Sequence, residues 1–362
     1  MFRPNLVDSI ISLTMCFLMI VAPLTALSSN YEETALDEET RKYYTIGSLN
    51  MPGFQSGSIY SNDTISVGIE YACAVSNGDV SCWGSNYYGT IGYIHTPGQG
   101  LQYGSDTNKN YPTDANSLFS HYGYFVEVVA GHSSTCALNT EGDVYCWGWE
   151  AYGQLGNGDN DVSDAGGQDR EIITPRLVLL PENTSAISIS SSEEQHKCAI
   201  LNNSETVCWG QNNYGQLGAG WTCNADQDSC TEISEFNVIS GTSFPQVVDF
   251  PENKSAISVA AGDQFTCAIT DDHSIYCWGR NDWAQLGQGN YNSLSSPGLV
   301  ELPGDKEAVA IALAESSACA ISMDQNVYCW GQGSEGQLGN GNNQTKTTPT
   351  LVILEEGDNP VS

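Results

Sequence analysis

Five times along this chain a cysteine is followed, nine or ten residues later, by a second cysteine that leads directly into Trp-Gly. The copies run from Cys73 to Cys82-Trp83-Gly84, from Cys136 to Cys146-Trp147-Gly148, from Cys198 to Cys208-Trp209-Gly210, from Cys267 to Cys277-Trp278-Gly279, and from Cys319 to Cys329-Trp330-Gly331. A unit that recurs along a chain sets the architecture before any local reading does.

Each unit reads as four short strands. A proline-led apolar strand (Pro245-Gln246-Val247-Val248, Pro297-Gly298-Leu299-Val300) opens it, and a second strand such as residues 256–262 follows. A Cys-Ala-Ile strand comes next, then a polar turn and a Val-Tyr-Cys-Trp-Gly strand. Turns such as Asn77-Gly78-Asp79 and Glu141-Gly142-Asp143 tolerate tight reversal. The unit ends in Gly-Gln-Leu-Gly at 153–156, 215–218 and 336–339, with drifted forms at 89–92 and 284–287. Four strands per unit and no helical period predict an all-β propeller with five recognisable four-stranded blades.

The cysteines flank a hairpin, where opposed Cα atoms lie about 4.5–5.5 Å apart, within the reach of a disulfide. The spacing therefore predicts Cys73–Cys82, Cys136–Cys146, Cys198–Cys208, Cys267–Cys277 and Cys319–Cys329, one bridge per blade. Cys223 and Cys230 share an insertion and form a sixth predicted pair, leaving only Cys16 near the N-terminus. Zinc would need close Cys-x-x-Cys pairs or regularly offset histidines, and the sequence has neither. Paired cysteines of this kind need an oxidising compartment.

The N-terminus agrees with that. Arg3 precedes an apolar stretch from Ile10 to about Leu24, and Ala26-Leu27-Ser28 offers a cleavage site. Residues 1–28 are expected to be a signal peptide, with an uncleaved anchor as the alternative and the one route to a membrane. Residues 29–50 then form a linker, 51–354 the propeller and 355–362 a tail. The net charge of −32 arises from 43 acidic residues facing only 11 Lys and Arg. Such a surface repels nucleic acid and attracts basic partners or divalent cations.

The combination of Cys-Ala-Leu, Val-Tyr-Cys-Trp-Gly and Asn-x-Tyr-Gly-Gln-Leu-Gly resembles the repeat of the regulator of chromosome condensation family. It is similar in particular to the secreted prokaryotic form with cysteines on both hairpin strands. The resemblance covers roughly residues 51–354 and implies a closed ring, usually of seven blades, that binds other macromolecules. It also implies, for intracellular members, nucleotide exchange on a small GTPase; the leader, the cysteines and the lack of a basic arm oppose that here. Residues 349–354 look like the opening strand of a further unit, free to pair with the N-terminal blade and latch the ring. A degenerate sixth blade near residues 31–60 is the alternative, and an open arc is disfavoured because of its exposed sheet edges.

Candidate sites lie where the copies differ. Tyr88, Tyr152, Tyr214 and Trp283 precede the Gly of the Gly-Gln-Leu-Gly motif, and Glu335 breaks the series. They fit either a ring of binding aromatics or, more commonly, packing between blades. Trp149 and Trp221 stand outside the repeated tryptophan position, beside insertions that map to loops and often to a binding face. Asp159, Asp161, Ser163 and Asp164 alternate oxygen donors as a calcium loop begins, but the sixth-place glycine is missing, so a solvated loop is the commoner use. Sequons at Asn62, Asn183, Asn202, Asn253 and Asn343 are possible glycan sites in a secreted chain. No hydrolase elbow, phosphate loop or dinucleotide fingerprint occurs. The sequence therefore points to a non-enzymatic, cofactor-free binding scaffold for an extracellular or cell-surface protein, with glycan binding as the alternative.

Overall fold

The computed structural model describes residues 64–92, 108–114, 121–158, 171–192, 194–223, 241–251 and 253–354. They form five four-stranded antiparallel sheets, with strands adjacent in sequence adjacent in space. The first blade is β1 (Thr64–Val67), β2 (Tyr71–Ser76), β3 (Asp79–Gly84) and β4 (Lys109–Asp114). The second is β5 (Phe125–Ala130), β6 (Ser134–Asn139), β7 (Val144–Trp149) and β8 (Glu171–Leu177). The third is β9 (Ala186–Ser191), β10 (His196–Leu201), β11 (Thr206–Gln211) and β12 (Gly241–Val247). The fourth is β13 (Ala256–Ala261), β14 (Phe265–Thr270), β15 (Ile275–Gly279) and β16 (Leu294–Val300). The fifth is β17 (Ala308–Leu313), β18 (Ser317–Ser322), β19 (Val327–Gly331) and β20 (Lys346–Leu351).

This corrects the phase of the repeat. The proline-led strand does not open a blade; it closes the preceding one. Pro297 lies in β16, which pairs with the Cys277 strand, and Pro349 lies in β20, which pairs with the Cys329 strand. The expected latch is therefore not a latch: its first residues complete the fifth blade, because the Cys329 strand has an open edge that β20 satisfies at short range. The alternative sixth blade near 31–60 lies outside the described residues.

The five hairpin disulfides form as the spacing implies. Each pair is directly opposed in register, with Cα atoms 4.1 Å apart. Cys223 is also disulfide-bonded, and Cys230 lies outside the described residues. The Trp-Gly that follows each second cysteine has a geometric cause. Between the cysteine and glycine pairings the outer strand carries three residues, ending in its proline, against the single tryptophan, so the β-bulge lies in the outer strand and the bulge tryptophan is the residue that faces it. The glycine then turns to φ of 97° to 110° and approaches the backbone of the loop beside it, where a Cβ would stand 2.2–2.6 Å from a carbonyl oxygen. Only glycine fits there.

Blades stack through unlike faces. One face carries the disulfide and the Leu of the terminal motif; the other carries the bulge tryptophan and the alanine of Cys-Ala. Between the second and third blades, Cys136, Cys146, Leu155 and Val178 meet Ala199, Val207 and Trp209. The indole N–H crosses each described junction to the preceding motif: Trp147 to the Thr90 carbonyl (2.9 Å), Trp209 to Gln154 (3.0 Å), Trp278 to Gln216 (2.9 Å) and Trp330 to Gln285 (2.8 Å). These four tryptophans are fully buried, as are all residues of β6, β10 and β14. A fifth hydrophobic cluster, around Leu338 and Val352, contains residues of the fifth blade alone.

Candidate binding face

The blades have two ends, and the chemistry is unevenly divided between them. At one end lie the loop before each Cys-Ala strand and the long loop that leaves the bulge tryptophan. These two loops are tied together in every blade: Ser85, Trp149, Gln211, Arg280 and Gln332 each donate the backbone N–H to the carbonyl of Glu70, Ser133, Gln195, Gln264 and Ser316 in turn. The insertions that lengthen the first, second and third units leave the chain between the Gly-Gln-Leu-Gly segment and the outer strand, so they root at this end. The opposite end carries the tight hairpin turns.

The predicted sequons divide accordingly. Asn183 and Asn253 occupy equivalent exposed sites in the left-handed region (φ 62° and 63°), and Asn202 is exposed in a hairpin turn bonded to Ser185, all at the turn end. Asn343 is exposed at the insertion end, and Asn62 lies outside the described residues. The calcium candidates Asp159, Asp161, Ser163 and Asp164 also lie outside them.

The aromatic positions come together across blade junctions. The Trp149 ring lies 5.5 Å from Tyr88 of the preceding blade and 5.6 Å from Tyr152 of its own; Tyr88 also meets His132 at 6.2 Å. Trp149 occupies the place after Trp-Gly that Ser85, Gln211, Arg280 and Gln332 fill elsewhere. The Arg280 guanidinium lies over the Tyr214 ring at 5.1 Å, the same junction contact made with a cation. So Tyr88 and Tyr214 pack between blades, yet each stays half-exposed at the insertion end. Trp283 is more open, at 44% exposure. Trp221 is a prop: its ring packs against the cluster of Cys198, Leu217 and Trp278, and its carbonyl accepts from Asn212.

One set of residues at this end was not singled out in the sequence. Four positions before the first cysteine of each pair stand Ile69, His132, Glu194, Asp263 and Glu315. Three carboxylates thus occupy equivalent loops of consecutive blades. Asp263, half-buried in the middle, is raised to about 7 by its burial and then by the adjoining charges of Glu194 and Glu315. Arg280 opposes the rise; its own guanidinium is held by Asp282 (2.8 Å) and Gln264 (3.0 Å). Reading the repeats as a column, rather than each motif alone, would have exposed this row.

The remaining buried titratable groups serve junctions. His196 is buried and neutral, lowered to about 3 chiefly by desolvation, and its Nε2 meets the Thr266 hydroxyl of the next blade at 2.9 Å. No group of three or more metal-ligating side chains occurs among the described residues, and no described helix is long and apolar enough to cross a membrane.

Comparison with known proteins agrees with this geometry. A family model described as the RCC1-like domain matches residues 34–361. The chain is 27% identical over 283 residues to the E3 ubiquitin-protein ligase HERC2 of Mus musculus, covering 78% of this chain and 5% of that protein. It is 27% identical over 295 residues to the ultraviolet-B receptor UVR8 of Arabidopsis thaliana, covering 80% of this chain and 57% of the receptor. The chain thus spans only a small part of the first relative and little more than half of the second. Among solved structures, human WBSCR16 superposes with a TM-score of 0.60 at 18% identity, over 80% of this chain and 67% of that one.

Proposed function

The chain belongs to the RCC1-like domain family, and on that premise we propose that it is a secreted, disulfide-stapled propeller that binds a cationic protein partner outside the cytoplasm. The observation that carries the reading is the asymmetry of the two ends. The points where the insertions leave the described chain, the exposed aromatics and the row of Glu194, Asp263 and Glu315 share one end, while three of the four described sequons sit at the other. A rigid scaffold with variable loops at one end is a common basis for recognition. Carboxylates beside half-exposed Tyr and Trp suit Lys and Arg side chains, through charge pairing and cation–π contact. Five staples in consecutive blades support an oxidising destination, and membership of the secreted, cysteine-containing prokaryotic branch belongs to the same proposal. In this reading the chain binds and does not catalyse.

The test holds charge constant. The triple variant Glu194→Gln, Asp263→Asn, Glu315→Gln is compared with Glu182→Gln, Glu205→Gln, Asp249→Asn, which removes three exposed acids from the turn end. Binding of a Lys- and Arg-rich peptide is expected to weaken about tenfold or more in the first and little in the second. Equal loss in both would mean that net charge alone drives binding, and would overturn the proposal. Export is tested separately, with residues 1–28 fused to a secretion reporter; a reporter left inside the cell would contradict secretion. Glycan binding through Trp283 is the second reading, which its exposure favours; Trp283→Ala on a glycan array separates it from the first.

A further inference from the structure

The junction between the third and fourth blades holds an arginine of this chain, and the next junction repeats the parts around it without the arginine. Arg280 follows Trp278-Gly279 and lies over the Tyr214 ring of the preceding blade at 5.1 Å. Two groups of its own blade anchor it there: Nε donates to the Asp282 carboxylate (2.8 Å) and Nη1 to the Gln264 side chain (3.0 Å). Asp263 stands within reach of the Arg280 charge. The junction thus stacks a guanidinium on an aromatic ring with a carboxylate beside it.

Between the fourth and fifth blades the ring is Trp283, the carboxylate is Glu315, and Gln332 takes the place of Arg280. Gln332 uses the same two anchor positions. Its Oε1 accepts from the Ser316 hydroxyl, which stands where Gln264 does, and its Nε2 donates to the Ser334 hydroxyl (3.3 Å), which stands where Asp282 does. An amide held in this way is shorter than arginine and brings no charge to the ring. Of the four rings at this place in the repeat, Tyr88 and Tyr152 meet Trp149 and Tyr214 meets Arg280. Trp283 is the most open of them, at 44% exposure. The loops that carry Glu315 and Gln332 nevertheless reach its turn. A Cβ on Gly331 would stand 3.3 Å from the Gln285 Cα, and the Trp283 N–H donates to the Gln285 side chain (2.9 Å). Glu315 is exposed, and all of these residues belong to the unbroken described stretch 253–354.

We infer that Trp283 and Glu315 form a site for one arginine side chain of the partner, which stacks its guanidinium on the indole and pairs with the Glu315 carboxylate. The incoming residue reproduces from outside the arrangement of Tyr214, Arg280 and Asp263 within the chain. This rests on the cationic-partner reading and narrows it from basic residues in general to arginine. A guanidinium is planar, weakly hydrated and suited to stacking, and indole is the strongest aromatic face for a cation. A lysine ammonium is compact and strongly hydrated, so it gains less at the same place.

Two blocked peptides, alike except that every Arg of one is Lys in the other, are titrated against the full chain. The Arg peptide is expected to bind about five- to tenfold more tightly, and Trp283→Ala to remove most of that preference. A second variant supplies the missing group from inside. Gln332→Arg with Ser316→Gln and Ser334→Asp copies the anchors of the preceding junction and leaves the net charge unchanged. It should shield Trp283 fluorescence from acrylamide and weaken the Arg peptide by about five- to tenfold, with a thermal midpoint no lower than that of the native chain. An Arg preference that survives both variants overturns the arginine site and leaves the cationic-partner reading standing. Equal binding of the two peptides by the native chain does the same. Binding of neither peptide overturns both.

Discussion

Lys197 is the residue the fold tolerates least well. It is 1% exposed on β10, and its Nζ has no hydrogen-bond partner among the described residues. Burial lowers it to about 7 from 10.5. The unfolded chain therefore binds more protons between pH 7 and 10.5, so this group makes stability rise with pH across that window and its cost is full below it. Lys197→Met, close in shape, is expected to stabilise the protein by about 2–4 kcal/mol at pH 6 and by progressively less towards pH 10. Urea denaturation at the two pH values checks this; a gain independent of pH would mean that packing, not charge, is responsible. Lys197 takes the place of Thr135 and Thr266, whose hydroxyls donate to the Thr90 and Gln216 carbonyls of the preceding blades. Its strain was invisible in the sequence, where a lysine beside a cysteine reads as a surface residue.

At the scale of the element, the bulge tryptophan and the hairpin staple divide the labour. Each tryptophan seals one junction, so its worth depends on whether a preceding blade exists. Trp209→Ala removes a fully buried indole and leaves the Gln154 carbonyl without its donor, an expected cost of about 3–5 kcal/mol. Trp83, half-buried at the start of the described series and bonded to no carbonyl among the described residues, is expected to cost about 1–2 kcal/mol on the same change. Equal losses in thermal or urea unfolding would contradict the junction account. The staple acts within one hairpin. Replacing Cys267 and Cys277 together by Ala is expected to cost about 2–3 kcal/mol and to raise hydrogen exchange in Phe265–Thr270 more than in other blades. The pairing of each staple was legible because hairpin register and cysteine spacing are both local. The phase of the proline-led strand was not: nothing in the apolar run Pro297–Val300 says whether it joins the hairpin before or after it. The pairing of the Cys277 strand settles that: its second edge is taken by Leu294–Val300, which bulges at Ser295–Pro297 opposite Trp278.

For the whole molecule, what the repeats share builds the scaffold, and what differs between them is sorted to one end. The aromatic series was legible as a repeated position, and its use in blade junctions follows from the contacts of Tyr88 with Trp149 and Tyr214 with Arg280. The carboxylate row was harder to see, because His132, Glu194, Asp263 and Glu315 are lone residues in unremarkable loops until five blades align them. That row gives binding a pH signature. Asp263, raised to about 7 by burial and its neighbours, is partly protonated at neutral pH, and an arriving cation would favour its ionised form. Affinity for a basic peptide should therefore rise between pH 6 and 8, with proton release that calorimetry in buffers of different ionisation enthalpy detects. Asp263→Asn should flatten the dependence, and an unchanged profile would remove Asp263 from the face. The most direct test of a one-ended binding scaffold is site-specific photo-crosslinking from the two ends. A photoreactive residue replaces Trp283 at the insertion end or Asn202 at the turn end, and each protein is exposed to the same extracellular protein fraction. Capture of a common basic partner from position 283 and none from 202 is the predicted result; capture from 202, or equally from both, would contradict it.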